Sequence, residues 1–171
     1  MKQDWIKSVL EAHEGPLLRY AYRLCNDLET ARDAVQDTFL KLCREDRSKI
    51  ESYLASWLFT VCRNRIFEIH RKEKRMTGLS EMTLEKSPVL EDTPAESAEK
   101  GEDKVTLKKL MQKLPEKEQE VLRLKFQNGL SYKEISDVTS LSVSNVGFIL
   151  HKTIKDLRTQ FKQMSETGGL S

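Results

Sequence analysis

The residues best suited to nucleic-acid chemistry lie in a basic, aromatic segment near the middle of the chain. Residues 57–75 read WLFTVCRNRIFEIHRKEKR and hold six Arg or Lys against two Glu. At about 100° per residue, a helix here has an apolar side, formed by Leu58, Val61, Cys62 and Ile69. The opposite side groups Arg63, Phe67, His70, Arg71 and Lys74. One face of the helix can therefore pack while the other binds phosphates and bases.

Phe67 distinguishes a binding face from an ordinary solvated one. A charged helix face is usually only solvated. A large apolar side chain on that face, however, forfeits about 1.5–3 kcal/mol of burial unless something covers it. A stacked or extruded base would cover the ring. On this segment alone, both interpretations stay open.

Residues of catalytic type do not group as they do in enzymes. The sequence has no Gly-rich phosphate loop, no carboxylate cluster at metal-ligand spacing and no nucleophile beside a plausible base. Cys25, Cys43 and Cys62 form no CxxC pair, and each lies in a helical apolar pattern, which favours buried thiols in a reducing cytoplasm. We expect no catalytic residue, no metal and no cofactor.

The distribution of charge indicates how the chain is organised. Net charge is only +2, but residues 1–76 carry +3, residues 77–103 carry −6 and residues 104–171 carry +5. Glycine and proline are scarce, and strand-like alternation is almost missing, which predicts an all-α fold. We expect two small helical domains, 1–76 and 104–171, joined by a flexible acidic linker at 77–103.

The first domain is predicted to contain four helices, at residues 2–13, 16–25, 28–44 and 53–75, with Asn26-Asp27 as the cap of the third. In that third helix the packing side consists of Ala31, Val35, Phe39 and Leu42. The side that can face a partner consists of Asp33, Gln36, Asp37 and Lys41.

The second domain is predicted to contain a helix-turn-helix. Its helices are expected at residues 104–113, 115–127, 132–138 and 143–162. Gly129 is a stop signal, and Ser131 and Glu134 have capping-box spacing. The last two helices are joined by a turn of four residues, 139–142.

The final helix has side chains suited to reading DNA. Its inward side groups Val146, Leu150, Thr153, Ile154, Leu157 and Phe161, and its outward side groups Ser144, Asn145, Phe148, His151, Lys152 and Lys155. Asn145 can pair with adenine and Phe148 can meet a thymine methyl. The two lysines can hold phosphates. A purely structural helix pair would look similar.

The N-terminal residues MKQDWIKSVLEAHEG contain no secretory apolar run, and no stretch reaches the length of a membrane span. We expect a cytoplasmic protein without membrane insertion.

Taken together, these segments resemble the extracytoplasmic-function (ECF) sigma factors of bacterial RNA polymerase, which consist of domains two and four with a linker between them. Residues 34–42, AVQDTFLKL, are similar to the family's core-polymerase-binding helix. The resemblance implies contacts with the clamp helices of the β′ subunit by Asp33, Gln36, Asp37, Leu40 and Lys41.

Residues 56–75 resemble the family's promoter-melting and minus-ten segment. This implies minus-ten contacts by Arg63, Asn64, Phe67, Glu68, His70, Arg71, Lys74 and Arg75. In the family, the preceding loop receives an extruded base, which implies a role for Arg47, Ser48 and Lys49. Glu68 departs from the pattern, since many members carry Asp there.

Residues 114–136 and 143–158 resemble domain four, which reads the minus-thirty-five element. The residues implied are Tyr132, Ser144, Asn145, Phe148, His151, Lys152 and Lys155. Ser140 replaces the usual Gly of the turn. Residues 147–149, Gly-Phe-Ile, stand where many members carry Lys-Ser-Arg, so two cations are expected to be missing from the reading surface.

The resemblance implies a sigma factor that binds core polymerase through the β′ clamp helices and the β flap, reads both promoter elements and helps to melt the minus-ten element. It also implies control by an anti-sigma factor. A stand-alone helix-turn-helix regulator that binds a palindromic site without polymerase stays open. An enzyme acting on nucleic acid is the third alternative. The sequence lacks the phosphate loop, the carboxylate cluster and the paired nucleophile and base that such an enzyme would need.

Overall fold

The computed structural model describes residues 1–77 and 101–168, and within these ranges all regular structure is helical. The chain divides into two compact units, the first made mainly of residues 1–77 and the second mainly of residues 101–168. Most of the expected acidic linker, residues 78–100, lies outside the described residues.

The first unit is built on three long helices. They are α1 (Lys2–Cys25), α2 (Leu28–Arg44) and α4 (Leu54–Thr77), and each packs against the other two. A short helix, α3 (Arg47–Ile50), and a 3₁₀ turn (Glu51–Tyr53) lie between α2 and α4. The core includes Leu17, Leu42, Leu58 and Ile66. Within it, the rings of Tyr20 and Phe59 meet edge to face at 5.1 Å.

The prediction of two helices at residues 2–13 and 16–25 was wrong, because α1 runs unbroken through Gly15 and Pro16. A proline inside a helix disfavours it by roughly 3 kcal/mol. Val9 and Leu17, on either side of Pro16, are both buried in the same core. Tertiary packing of both halves therefore outweighs the local preference for a break.

The junction between α1 and α2 uses the expected capping residues. Asn26 adopts a left-handed conformation at the end of α1, with φ of 56°, and its backbone N–H donates to Tyr22 O at 2.7 Å. Asp27 is the N-cap of α2, as predicted. Its carboxylate accepts from the Thr30 hydroxyl at 2.6 Å instead of capping a backbone N–H.

The buried side of α4 differs in part from the predicted stripe. Leu58 and Cys62 are buried as expected, but Val61 and Ile69 are only half-buried. Phe59 and Ile66 occupy the core instead. Because apolar residues surround much of this helix, only the contacts with α1 and α2 decide which side is covered.

The second unit contains α5 (Gly101–Gln112), α6 (Glu116–Leu122), α7 (Tyr132–Thr139) and α8 (Val143–Gly168). Helix α5 begins three residues earlier than predicted, and α8 extends six residues further. A π-helical segment, Arg123–Gln127, continues α6. The hydrogen bond from Asn128 N to Arg123 O, 3.1 Å long, closes it. The helix predicted at residues 115–127 thus consists of two different forms.

The predicted helix-turn-helix is present. At the start of α7, Ser131 Oγ accepts from Glu134 N at 3.1 Å, and Ser131 N donates to Glu134 Oε1 at 3.0 Å, which confirms the capping box. Ser140 takes the left-handed position of the turn with φ of 64°. The Asn145 N–H then donates to Ser142 Oγ at 3.0 Å at the start of α8.

None of the described helices has both the length and the apolar character needed to cross a membrane.

Candidate polymerase and promoter interfaces

The outward side of α2 carries the residues expected to meet polymerase. Asp33, Gln36, Leu40 and Lys41 are exposed, and Asp37 is half-buried. Leu40 is 53% exposed, which is unusual for a leucine beside a well-packed core. The structure therefore brings four of the five candidates to the surface and holds the fifth partly inside.

An apolar groove of ≈ 460 Å³ lies between α1 and α2. Val35, Phe39 and Leu40 line its α2 side together with Gln36, while α1 contributes Ile6, Leu10, Glu14 and Leu18. Sequence reasoning missed the α1 side of the groove. Its four residues are spaced four positions apart, which places them along one side of a helix.

Arg65 connects α2 with α4. Its Nε donates to Asp37 Oδ2 at 2.6 Å, and its Nη1 donates to Glu68 Oε2 at 3.2 Å. These two hydrogen bonds raise the pKa of the Arg65 guanidinium, with the bond to Asp37 contributing most. Arg65 was not among the predicted site residues, yet it contacts one candidate from each of two sets. Sequence spacing gives no signal for the contact with Asp37, which is 28 positions away.

On the basic side of α4, the Arg63 side chain lies over the ring of Phe67. The Arg63 guanidinium carbon lies 4.6 Å from the centre of the Phe67 ring. Both side chains are half-buried, as is His70. The remaining candidates on α4, which are Asn64, Glu68, Arg71, Lys74 and Arg75, are exposed. The expectation that an external partner must cover Phe67 was thus incomplete, because Arg63 already covers one face of the ring.

The loop before α4 is organised around Asp46. Its Oδ1 accepts from the Ser48 hydroxyl at 2.9 Å and from Ser48 N at 3.1 Å. Hydrogen bonds from Ser48 lower the pKa of the Asp46 carboxyl, with smaller contributions from the charges of Lys49 and Lys2. The carboxylate therefore stays ionised and caps α3.

Arg47, another candidate in this loop, makes contacts with other side chains of the protein. Its Nε and Nη2 donate to Glu51 Oε1 at 3.0 and 2.7 Å. The guanidinium also lies 5.3 Å from the centre of the Trp5 ring, on the first turns of α1. Lys49 is exposed. Of the three loop candidates, Lys49 extends into solvent, whereas Arg47 and Ser48 shape the loop.

The outward side of α8 matches its prediction closely. Ser144, His151, Lys152 and Lys155 are exposed, Asn145 is half-buried, and Phe148 is 65% exposed. All six residues predicted to face inward are buried or half-buried. The helix therefore presents an amide, an aromatic ring, an imidazole and two lysines on one continuous surface.

Two structural details concern residues 147–149 of α8, where the sequence departs from the Lys-Ser-Arg of many family members. Ile149 is only 7% exposed, so its side chain packs inward at this position. Of residues 147–149, Phe148 presents the outward side chain. A Cβ at Gly147 would lie 3.4 Å from the Tyr132 ring, which is half-buried against this position and has Lys125 Nζ 5.5 Å from its centre. Tyr132 is thus placed beside α8.

The cysteines fall into two classes. Cys25 and Cys62 are buried as predicted, but Cys43 is exposed at the edge of the α1–α2 groove. Burial raises the pKa of the Cys62 thiol to about 12. Within residues 1–77 and 101–168, no three His, Cys, Asp or Glu side chains are grouped to hold a metal ion.

Comparison with known families assigns both units. The profile of Sigma-70 region 2 matches residues 9–76, and the profile of Sigma-70, region 4 matches residues 104–157. The chain belongs to the sigma-70 family, in its ECF group.

Curated relatives of this sigma factor match along almost its whole length. It is 27% identical over 173 residues to RNA polymerase sigma factor YlaC of Bacillus subtilis. The alignment covers 96% of each chain. It is 25% identical to ECF RNA polymerase sigma factor SigM of the same organism, over 92% of this chain and 96% of the relative. A stand-alone helix-turn-helix regulator is not favoured, because the first unit matches region 2.

A solved structure supports the fold of this sigma factor. The co-crystal structure of the sigma factor RpoE with the anti-sigma factor NepR from Bartonella quintana matches with a TM-score of 0.59 at 22% identity. The match covers 94% of this chain and 98% of that chain. Trp5, which contacts Arg47, lies before the first residue of the region 2 match.

Proposed function

We propose that this sigma factor binds core RNA polymerase through α2 and directs initiation by contacting the minus-ten element through α3 and α4 and the minus-thirty-five element through α8. The observation that carries the proposal is the pairing of two matched regions, each with its candidate side chains on the outward side of a helix. Neither surface alone would distinguish a sigma factor from a simple DNA-binding protein.

The polymerase contact uses the outward side of α2. Asp33, Asp37 and Lys41 supply charges, while Gln36 and Leu40 border the groove between α1 and α2. A groove between two helices accepts the apolar side of another helix. The β′ clamp helices are its proposed occupant, because Gln36 and Leu40 belong to the segment that resembles the family's clamp-binding helix. The β flap is the proposed partner of the second unit.

Promoter opening uses the basic side of α4. Unpaired bases gain stacking contacts that the closed duplex denies them, so a protein that offers those contacts favours the open state. Phe67 offers a ring, and Arg63 now occupies the space over one of its faces. In the proposed mechanism a base takes that place and the guanidinium turns to a backbone phosphate. Arg71, Lys74 and Arg75 hold neighbouring phosphates.

The minus-thirty-five contact uses the start of α8. Recognition helices contact base edges with their N-terminal residues. Asn145 and Phe148 fit that position, with Ser144 beside them, while His151, Lys152 and Lys155 lie further along for phosphate contacts. Tyr132 supports the same surface from α7.

The proposal assigns catalysis to the polymerase and none to this chain. It places the chain in the cytoplasm, where the bacterial polymerase works. Regulation by an anti-sigma factor is part of the proposal, since the matched RpoE structure contains one. Such a partner would cover the α2 and α8 surfaces.

Reconstituted transcription tests the proposal. Core polymerase with the full chain is supplied with a library of randomised promoters, and transcript starts are sequenced. We expect starts downstream of shared minus-thirty-five and minus-ten sequences, which disappear when the chain is omitted. Transcripts without shared upstream sequences would refute the proposal, as would tight binding to a palindromic site that needs no polymerase.

A further inference from the structure

The contact between Trp5 and Arg47 joins the start of α1 to the loop before α4. The guanidinium carbon lies 5.3 Å from the ring centre, within the range of a cation–π interaction. The two residues are 42 positions apart in the sequence. Trp5 also lies outside the segment matched to region 2, which begins at residue 9.

Arg47 is held from two directions. The Trp5 ring lies against its guanidinium group, and Glu51 Oε1 accepts from both Nε and Nη2. The side chains of Arg47 and Glu51 are 49% and 52% exposed, so this arrangement is at the surface. Exposed ion pairs of this kind contribute little to overall stability. Its effect is therefore on the geometry of the loop.

The loop needs such an anchor because its own structure is short. Helix α3 has four residues and is followed by a 3₁₀ turn of three. Helices of this length are not stable by themselves and depend on contacts with the rest of the protein. Ile50 supplies one anchor, since its side chain is buried. The Trp5–Arg47 contact supplies a second anchor at the opposite end of α3.

We propose that Trp5 is a positioning residue for recognition of the minus-ten element. By holding the Arg47 guanidinium against Glu51, it fixes the orientation of α3 and so the side chains that meet an extruded base. The inference rests on the proposed function, in which this loop contacts the minus-ten element. Trp5 itself touches no DNA in this arrangement.

Promoter discrimination by the holoenzyme tests the role. Initiation rates are measured on a promoter selected from the library and on derivatives with single changes in the minus-ten element. For Trp5→Leu we expect the ratio of these rates to fall about two- to five-fold, which is the range of one exposed cation–π contact. Trp5→Phe, which keeps a ring, should retain most of the ratio. The variants should bind core polymerase like the wild type.

A double-variant cycle tests whether Trp5 acts through Arg47. Discrimination by Trp5→Leu combined with Arg47→Ala should be no worse than that of the more damaging single variant. Additive losses would show independent roles and overturn the inference, as would equal losses for Trp5→Phe and Trp5→Leu. Unchanged discrimination by Trp5→Leu would also overturn it.

A spectroscopic measurement keeps the inference testable if Trp5→Leu does not fold. The chain has two tryptophans, so Trp57→Phe leaves Trp5 as the only emitting indole. Adding Arg47→Ala should shift the emission to longer wavelength, because water replaces the guanidinium over the ring. An unchanged spectrum would contradict the contact. Absence of promoter-specific initiation by the wild type would instead refute the proposed function, and this inference with it.

Discussion

Asp37 on α2 accepts a hydrogen bond of 2.6 Å from Arg65 on α4. The same guanidinium reaches Glu68, so one cation lies between an acid proposed to meet polymerase and an acid on the helix proposed to open the promoter. A single side chain thus joins the two proposed functional surfaces of the first unit.

Reversal of the charge at Asp37 is expected to weaken association with core polymerase. Asp37→Arg removes an outward acid and places a second cation beside Arg65, so we expect at least a tenfold loss of affinity, equivalent to about 1.4 kcal/mol. Fluorescence anisotropy with labelled sigma factor measures it. Glu29→Arg, an exposed reversal in the first turn of the same helix, is the matched control. Equal affinities for wild type and Asp37→Arg would remove this assignment.

The Asp37–Arg65 pair is expected to contribute modestly to folding. Both side chains are 41% exposed, and solvent screens pairs of this kind, so a double-mutant cycle with Asp37→Ala and Arg65→Ala should give a coupling free energy of about 1 kcal/mol or less. Urea unfolding followed by circular dichroism measures it. A coupling of several kcal/mol would mean that the pair is a major structural element.

Loss of the Phe67 ring or the Arg71 charge is expected to impair promoter opening without affecting polymerase binding. Phe67→Ala removes a stacking surface worth about 1–3 kcal/mol per base, and Arg71→Ala removes a phosphate contact. Heparin-resistant complexes on promoter DNA should therefore decrease for both variants. Lys72→Ala, an exposed cation of the same helix outside the candidate set, is the control. Wild-type levels of resistant complexes in both variants would contradict the proposed opening surface.

Asn145 and Lys155 are expected to affect DNA binding in different ways. Asn145→Ala should reduce preference for adenine at one position of the minus-thirty-five element by about 1–3 kcal/mol. Lys155→Ala should weaken binding of all sequences and reduce its salt dependence, because it removes a phosphate contact. Competition assays with single-base variants, repeated at several salt concentrations, separate the two. A uniform loss for Asn145→Ala would show that it reads no base.

Thiol labelling is expected to distinguish the cysteines. At pH 8 the exposed Cys43 should react quickly with a disulfide reagent, whereas Cys62, buried and with its pKa raised to about 12, should react only after unfolding. Cys43→Ser should remove the fast phase.

The same shift predicts how stability depends on pH. The ordinary pKa of the Cys62 thiol is 9.0 and folding raises it, so the folded state favours the protonated form. Its contribution is complete below pH 9 and decreases as the pH rises towards 12, because the unfolded chain ionises first. Urea unfolding at pH 8 and pH 10 measures this effect. Between these pH values, the free energy of unfolding should decrease less for Cys62→Ala than for the wild type. Equal decreases for the two proteins would contradict a raised pKa of the buried Cys62 thiol.

Periodicity predicted the outward side of α8 and the packing side of α2 correctly, because in both helices apolar and polar residues occupy separate sides. It failed where the sequence pattern is ambiguous. Nothing local tells Ile66 from Ile69, and only contacts with the other helices bury the first. The break expected at Pro16 was overruled by burial of Val9 and Leu17.

Contacts between residues that are far apart in the chain could not be predicted from the sequence either. Arg65 with Asp37, and Trp5 with Arg47, join side chains that no spacing rule relates. The position of Arg63 over Phe67 was different, since the two are four positions apart in a helix and neighbours by geometry. That contact could have been predicted.

The guanidinium above Phe67 also has a consequence when no promoter is near. An exposed aromatic ring adds apolar area to a helix surface, and large exposed apolar patches promote association. With Arg63 over it, one face of the ring is less available to other apolar surfaces. In the proposed mechanism, that face becomes available when a phosphate draws the guanidinium aside. In the proposed mechanism, this sigma factor thus keeps one aromatic side chain of its DNA-binding face under a hydrophilic cover until DNA is bound.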